Sequence, residues 1–228
     1  MQEASNSNYV EGIFVRELKN RFLCEVSISG SKLICYVPSS CRLSNFMQLE
    51  GKRVLLTITR STRARTKYAL FAVYYRRGYI FLNSSVANRA VEASLSGRRF
   101  SFLKKRETIL REHTVYNYKT DFYIADTDTI VEIKSIISTQ KRVAFPSVHS
   151  ERAIKQLKHL QLLLSQGHKV CLLIVSLSPT VKEIFIDDQG EFCKEFYKCI
   201  QLGMHISAYT CRIKQGIPVI SNVLPLCY

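Results

Sequence analysis

The sequence predicts an α/β (α+β) chain in two parts: a small five-stranded β-barrel over residues 1–83, then a mixed sheet with flanking helices over residues 84–228. Three observations predict it. Short alternating segments crowd the first third, with little helix between them. At Ser84–Ser85 the pattern turns helical. Beyond that point a long amphipathic helix precedes a continuous apolar run, the sign of a strand covered on both faces.

The barrel strands come first. Phe22, Cys24, Val26 and Ile28 alternate with Leu23, Glu25 and Ser27, the period-2 signature. Gly30-Ser31 makes a turn into a partner strand, Leu33 to Val37, which Pro38 ends because proline cannot donate to a ladder. Arg53–Thr59, Lys67–Tyr75 and Tyr79–Leu82 are three more, with Arg76-Arg77-Gly78 as a hairpin turn. Five short strands with little helix fit an OB-like barrel, a fold that binds oligonucleotides.

The second part opens with a helix capped by Ser84 or Ser85, with Val86, Ala90 and Val91 on its apolar side. Strands follow near Ile109–Tyr116, Phe122–Ala125 and Thr129–Ile137, with Asp126-Thr127-Asp128 turning between the last two. Glu151–Gln166 is a helix with Ile154, Leu157, Leu160 and Leu164 inward, closed by Gly167. Lys169–Leu177 is the central strand. A helix over Glu191–Leu202 ends at Gly203, and a strand follows at His205–Cys211.

Lys plus Arg is 33 and Asp plus Glu is 18, a net charge of +15. Such a surface repels itself and favours an anionic partner. The N-terminus lacks the basic start and apolar run of a signal peptide, and no apolar stretch approaches the roughly 20 residues that span a bilayer. The chain is therefore expected in the cytoplasm, with no membrane partner. None of the 8 cysteines forms a Cys-x-x-Cys pair or a zinc spacing with a histidine, so they read as small buried hydrophobes. The five histidines, among them His113, His149, His159 and His168, form no recognisable hydrolase motif.

The chemistry concentrates between Asp121 and Lys134. Asp121 opens one strand, and Glu132-Ile133-Lys134 lies on the next, across a tight turn. Glu132 and Lys134 are two apart and share a face; Val131 and Ile133 point the other way. Two carboxylates and an ammonium at one spot suit metal-assisted phosphodiester cleavage, with hard oxygen ligands for Mg²⁺ or Mn²⁺. The bland alternative is a cross-strand salt bridge on a solvated sheet face.

Several ordered matches resemble the sugar fermentation stimulation protein (SfsA) family, from about Arg21 to about Gly216. Arg21-Phe22-Leu23 and Val37-Pro38-Ser39-Ser40-Cys41-Arg42-Leu43 match its barrel, and Arg65-Thr66-Lys67-Tyr68 does so loosely. Ala87-Asn88-Arg89 matches its interdomain helix. Thr120-Asp121-Phe122 and Val131-Glu132-Ile133-Lys134-Ser135 look like its catalytic strands, and Phe145-Pro146, Ser150-Glu151-Arg152 and Gly167-His168-Lys169 its later segments. The resemblance implies an OB-fold joined to a PD-(D/E)xK nuclease domain, and metal-dependent cleavage of DNA or RNA. It implies that Asp121, Glu132 and the Ile133 carbonyl bind the metal and that Lys134 assists catalysis. The chain departs from the family in four places. Ser39 and Cys41 replace a loop Asn and Gly. Ala93 stands where the family often has an acid, so Glu92 is turned about 100° around the helix. Lys119 replaces an Arg, and Ser147 an Asp.

Arg60, Arg63, Arg65 and Lys67 crowd one barrel connection, where cations of an OB groove track phosphates. Of the strand aromatics Tyr68, Phe71, Tyr74, Tyr75, Tyr79 and Phe81, roughly one in three belongs on such a face and the rest in the core. The expected nucleic-acid contacts are Arg21, Arg42, Arg63, Arg65, Lys67, Asn88, Arg89, Lys119 and Arg152. Two other readings compete with a nuclease: a DNA-binding regulator of sugar metabolism with an idle site, and a basic scaffold. Monomer and homodimer are both open.

Overall fold

The computed structural model describes residues 9–39, 42–59, 61–76, 78–147, 150–186, 190–215 and 217–228. Ser40, Cys41, Arg60, Arg77, His149 and Gly216, named above, lie outside the described residues. The chain splits into two compact units: Met1–Val86 with Ile137–Thr139 and Leu177–Pro179, and Ala87–Ile136 with Gln140–Ser176 and Thr180–Tyr228.

The first unit holds β1 (Tyr9–Glu17), β2 (Leu23–Ile28), β3 (Ser31–Tyr36), β4 (Arg53–Ile58), β5 (Tyr68–Tyr75) and β6 (Gly78–Phe81). Their order is β3-β2-β1-β4-β5-β6, and an added β3–β5 pairing closes β1 to β5 into a ring. Five strands do form the barrel, but not the expected five. Tyr9–Glu17 is a barrel strand, and Tyr79–Leu82 corresponds to β6, outside the ring. In β1 only Gly12 and Phe14 face fully inward, so a glycine sits where a period-2 pattern needs a hydrophobe. Space explains the glycine: a Cβ there would lie 2.6 Å from Val26 Cγ1. The β2–β3 turn falls on Ser29 and Gly30, both at positive φ, one residue earlier than expected. Cys24, Val26, Cys35, Val54, Leu56 and Leu70 fill the interior and are fully buried.

The second unit begins along α1 (Ser85–Glu92). Its strands are β7 (Ile109–Arg111), β8 (Thr114–Val115), β9 (Tyr118–Lys119), β10 (Phe122–Ile124), β11 (Thr129–Ile136), β12 (Arg142–Phe145), β13 (Lys169–Ser176), β14 (Glu183–Ile186), β15 (His205–Lys214), β16 (Ile217–Leu224) and β17 (Leu226–Cys227). Two helices complete it, α2 (Glu151–Ser165) and α3 (Gly190–Gln201). The main sheet runs β16-β15-β13-β11-β10-β7. Its centre, β11-β13-β15, is parallel, and both flanks are antiparallel.

One face of this sheet presents Ile130, Ile136, Leu172 and Ile174 to Ile154, Leu157, Leu160 and Leu163 of α2 and to Phe196 and Cys199 of α3. Leu163, not Leu164, takes the fourth buried place on α2; Leu164 is only partly buried. On the other face Tyr209 meets Phe100 at 5.5 Å between ring centres, and Ser94 Oγ accepts the Ile220 N–H. Ser150 caps α2 by accepting from Ala153 N, and Gly167 and Gly203 close α2 and α3 at positive φ, as the sequence predicts.

In this unit the expected strands omit β9, β12, β14, β16 and β17. β12, β14 and β17 are short and form a separate parallel sheet in the order β12-β14-β17. β16 carries Pro218 but lies at a sheet edge, where a missing N–H is tolerated. Six of the described cysteines are buried, and Cys227 is exposed. Among the described residues no helix is long and apolar enough to cross a membrane.

Candidate active site and barrel groove

The sheet positions the acids. Phe122 pairs with Val131, and continuing that antiparallel register sets Asp121 opposite Glu132. Beyond Phe122 the β10 ladder stops, so the Ile133 N–H needs another acceptor. Asp121 Oδ2 supplies it at 2.8 Å, while Oδ1 accepts from Asn88 Nδ2 of α1 at 2.9 Å. Both Asp121 oxygens are thus held. In a strand the N–H and C=O of one residue turn to the same edge, so the Ile133 carbonyl faces the edge that Asp121 occupies.

Glu132 is only 2% exposed. It does not lie on a solvated face, because α2 covers it. Gln156 Nε2 donates to Glu132 Oε2 at 2.5 Å and to the Tyr118 hydroxyl at 2.6 Å. Lys134 Nζ stands 3.6 Å from the same Oε2. The other oxygen, Oε1, is buried without a partner in hydrogen-bond geometry. Burial raises the Glu132 pKa to about 7; Lys134 opposes that rise and the Asp121 charge adds to it, while the Tyr118 hydroxyl and the Asp121 N–H favour the charge to a lesser degree. Desolvation outweighs the neighbouring ammonium because a carboxylate deprived of water loses more than one partly exposed cation returns.

Asp121, Glu132, Ile133 and Lys134 therefore converge as the sequence predicts. Asn88 is bonded to Asp121, which uses its amide on the carboxylate and not on a phosphate. Glu92, one turn further along α1, pairs with Arg111 at 3.3 Å. Lys119 is paired with Glu112. Arg89 and Arg152 are exposed. Gln156 and Tyr118, which the sequence reading passes over, are the groups that hold Glu132. Nearby, the Tyr123 hydroxyl and His168 Nδ1 meet Asp128 Oδ1 at 2.8 and 2.7 Å, fixing the left-handed residue that ends the β10–β11 turn. Among the described residues, no three His, Cys, Asp or Glu side chains gather as a metal-holding group.

The family model described as "Sugar fermentation stimulation protein RE domain" matches residues 85–216, and the one described as "SfsA N-terminal OB domain" matches residues 17–82. The chain belongs to the SfsA family. A sugar fermentation stimulation protein homolog from Clostridium kluyveri is 27% identical over 225 residues, covering 95% of this chain and 96% of the relative. One from Thermotoga petrophila is 29% identical over 203 residues, covering 87% and 86%. The solved structure of Pyrococcus furiosus SfsA in complex with Ca²⁺ superposes with a TM-score of 0.83 at 20% identity, covering 97% of each chain.

The SfsA OB domain, a fold that in general binds nucleic acid, carries an open groove of about 910 Å³, lined by Phe22, Leu33, Ile34, Tyr36 and Tyr68 among others. Arg65 and Lys67 also line it. Arg21 stacks over Phe22 at 4.7 Å and Lys67 over Tyr68 at 5.4 Å. Arg63 is exposed in the same connection but does not line the groove. Arg42 donates to the Leu18 and Lys19 carbonyls at 3.4 and 3.0 Å, beside the Glu17 carboxylate that accepts from Leu43 N and Ser44 N. In this SfsA chain Arg42 thus ties a loop. Of the six strand aromatics, Phe71 and Phe81 are core, Tyr74 packs on Tyr79, and only Tyr68 reaches the groove. Phe22 and Tyr36, not singled out as ligand-facing from sequence, are its other rings.

Proposed function

We propose that the chain is a metal-dependent nuclease that hydrolyses phosphodiester bonds in DNA or RNA, with Asp121, Glu132 and the Ile133 carbonyl as ligands for Mg²⁺ or Mn²⁺. The observation that supports this most is Glu132 Oε1. A carboxylate oxygen buried without a partner costs free energy, on the order of several kcal/mol, unless a cation takes it up. Two carboxylates and a carbonyl are hard donors, and a cation that keeps several waters needs no third acid. The Ca²⁺ of the Pyrococcus furiosus structure is a hard cation of the same preference.

When bound, such a cation would polarise the phosphoryl oxygen, supply a nucleophile from bound water and stabilise the leaving alkoxide. The protein's own groups do the rest. Asn88 and the Ile133 N–H orient Asp121. Gln156, itself held by the Tyr118 hydroxyl, fixes Glu132 Oε2 and leaves Oε1 for the ion. Lys134, partly exposed beside Glu132, neutralises charge developing on phosphorus or orients the attacking water.

A second reading has one observation in its favour. Glu92 is engaged by Arg111, which leaves only two acids, and an idle site in a DNA-binding regulator of sugar metabolism would look the same. Incubating end-labelled DNA and RNA with the purified chain and Mg²⁺ or Mn²⁺ separates the readings. Metal-dependent shortening of either substrate supports the nuclease; intact substrate bound with steep salt dependence supports the regulator.

A further inference from the structure

A second cavity opens in the α/β unit where the parallel strands β11, β13 and β15 begin, and none of the acid-site residues lines it. Its volume is about 200 Å³, room for roughly six or seven waters and less than a drug-sized ligand needs. Leu103 and Val170, both buried, form an apolar floor. Phe102 stacks on His205 at 4.2 Å between ring centres and makes a flat wall. Burial holds the His205 pKa below its ordinary value, so near neutral pH that wall is uncharged. The charge comes from Lys104 and Lys169, which also line the cavity.

These two lysines differ from their neighbours. Lys105 pairs with Glu107 at 3.1 Å and Asp126 at 3.7 Å. Lys104 and Lys169 form no ion pair among the described residues; Lys169 Nζ meets only the Thr127 carbonyl, at 3.1 Å. Asp128, beside Lys169 in the fold, is turned to Tyr123 and His168, and no carboxylate lines the cavity. Lys104 also has φ 60° and ψ −131°, a left-handed backbone that favours glycine. The Arg106 guanidinium holds it there by donating to the Lys104, Leu95 and Gly97 carbonyls. Strain that a second side chain maintains, at the mouth of a cavity, marks a position that function requires.

We propose that this cavity binds a small organic anion, with its acidic head between Lys104 and Lys169 and a flat apolar body on Leu103, Val170 and the Phe102–His205 wall. Floor and cations together choose this occupant: a bare inorganic anion leaves the floor uncovered, and a neutral ring leaves the lysines unpaired. Carboxylates and phosphate monoesters share the required chemistry. Neither the acids nor the barrel contributes, so binding here is independent of cleavage.

Calorimetric titration of the full-length chain in EDTA, where no metal can recruit an anion to the acid site, uses benzoate, phenyl phosphate, inorganic phosphate and benzyl alcohol. Benzoate or phenyl phosphate should bind with a Kd of roughly 0.1 to 1 mM, the tighter of the two identifying the head group. Inorganic phosphate and benzyl alcohol should each bind at least about 10-fold more weakly. Lys104→Met and Lys169→Met keep the apolar stem of an exposed side chain. Each should weaken the organic anion by roughly 10- to 100-fold, as for loss of one charge-assisted hydrogen bond, with an unchanged melting temperature. Lys105→Met removes the same net charge outside the cavity and should change affinity less than about twofold. His205→Ala should weaken the ring-bearing anion and leave inorganic phosphate unchanged. No heat from either organic anion up to about 10 mM overturns the proposal, as does an equal loss in Lys105→Met, which means diffuse charge. Benzyl alcohol or inorganic phosphate binding as tightly as the organic anions overturns it too.

Discussion

The groove and the acid site handle exposure in opposite ways. The groove leaves rings in water and needs no group to be unusual; its cations rest on aromatic faces at ordinary distances. The acid site removes a carboxylate from water, gives one oxygen two donors nearby and leaves the other with none. A surface that collects a flexible ligand gains from area and adaptable contacts. A surface that acts on one bond gains from a costly group held in one position, because only preorganised charge lowers a barrier. The two regions should therefore respond to different perturbations, and that difference can be tested.

The largest expected effect belongs to the acids. Glu132→Gln should abolish metal-dependent cleavage, a loss of at least about 10³-fold, and leave oligonucleotide affinity in EDTA unchanged. Asp121→Asn should do the same at some cost in stability, about 1–3 kcal/mol, because an Asn amide cannot accept from both Asn88 and Ile133. Cleavage at the parental rate by either variant, with initial rates followed on gels, removes the site from the mechanism.

Lys134 comes next. Lys134→Ala should lower kcat by roughly 10²- to 10³-fold with little change in KM, as for the loss of one oriented electrostatic donor. If Lys134 only balances Glu132, kcat at saturating Mn²⁺ stays at the parental value and the melting temperature falls instead.

A smaller effect is thermodynamic and separates the regions without any substrate. The Glu132 pKa is raised from its ordinary 4.5 to about 7. Its stabilising contribution is therefore complete below pH 4.5 and is lost as pH rises through about 7. In EDTA, Glu132→Gln should gain up to about 3 kcal/mol over the parent at pH 8 and less than about 1 kcal/mol at pH 5. Tyr36→Ala in the groove should show no such pH dependence. Denaturant melts at the two pH values read both, and an equal Glu132→Gln effect at pH 5 and pH 8 would refute the assignment.

The smallest effect tests the rim. Arg63→Ala and Arg65→Ala together should flatten the log–log dependence of single-strand affinity on salt by about 0.7 for each phosphate they no longer neutralise. Arg65 lines the groove and Arg63 does not, so most of the change should follow Arg65 alone. An equal share for Arg63 would extend the binding surface beyond the groove.

The acid site was legible where local periodicity carries it. Glu132-x-Lys134 share a face because strands alternate, and a short turn brings Asp121 across. Gln156, Tyr118 and Asn88 were not legible in these roles, since each arrives from a different element across a long sequence separation and nothing local marks a Gln as a carboxylate's donor. The second unit's core was readable from 3.6-residue spacing, with one slip from Leu163 to Leu164. The barrel was harder. Gly12 blanks the alternation of β1, and in β3 neighbouring Leu33 and Ile34 are both exposed, so period 2 does not reveal which side meets solvent. For that reason Phe22 and Tyr36 read as ordinary strand residues.

The barrel closes on little. Every other seam of the ring is a ladder of several residue pairs, but among the described residues β3 meets β5 at Tyr36 and Ala69 alone. Local opening is least costly where the fewest backbone bonds must break, so amide hydrogens at this joint should exchange with solvent faster than those of β1 or β4. Tyr36 stands on one lip of the joint and Tyr68 on the other, both lining the groove. Any chain laid along the groove and held by both rings would bridge the joint from outside, and its binding would register as slowed deuterium uptake there, a brace on the ring's weakest seam.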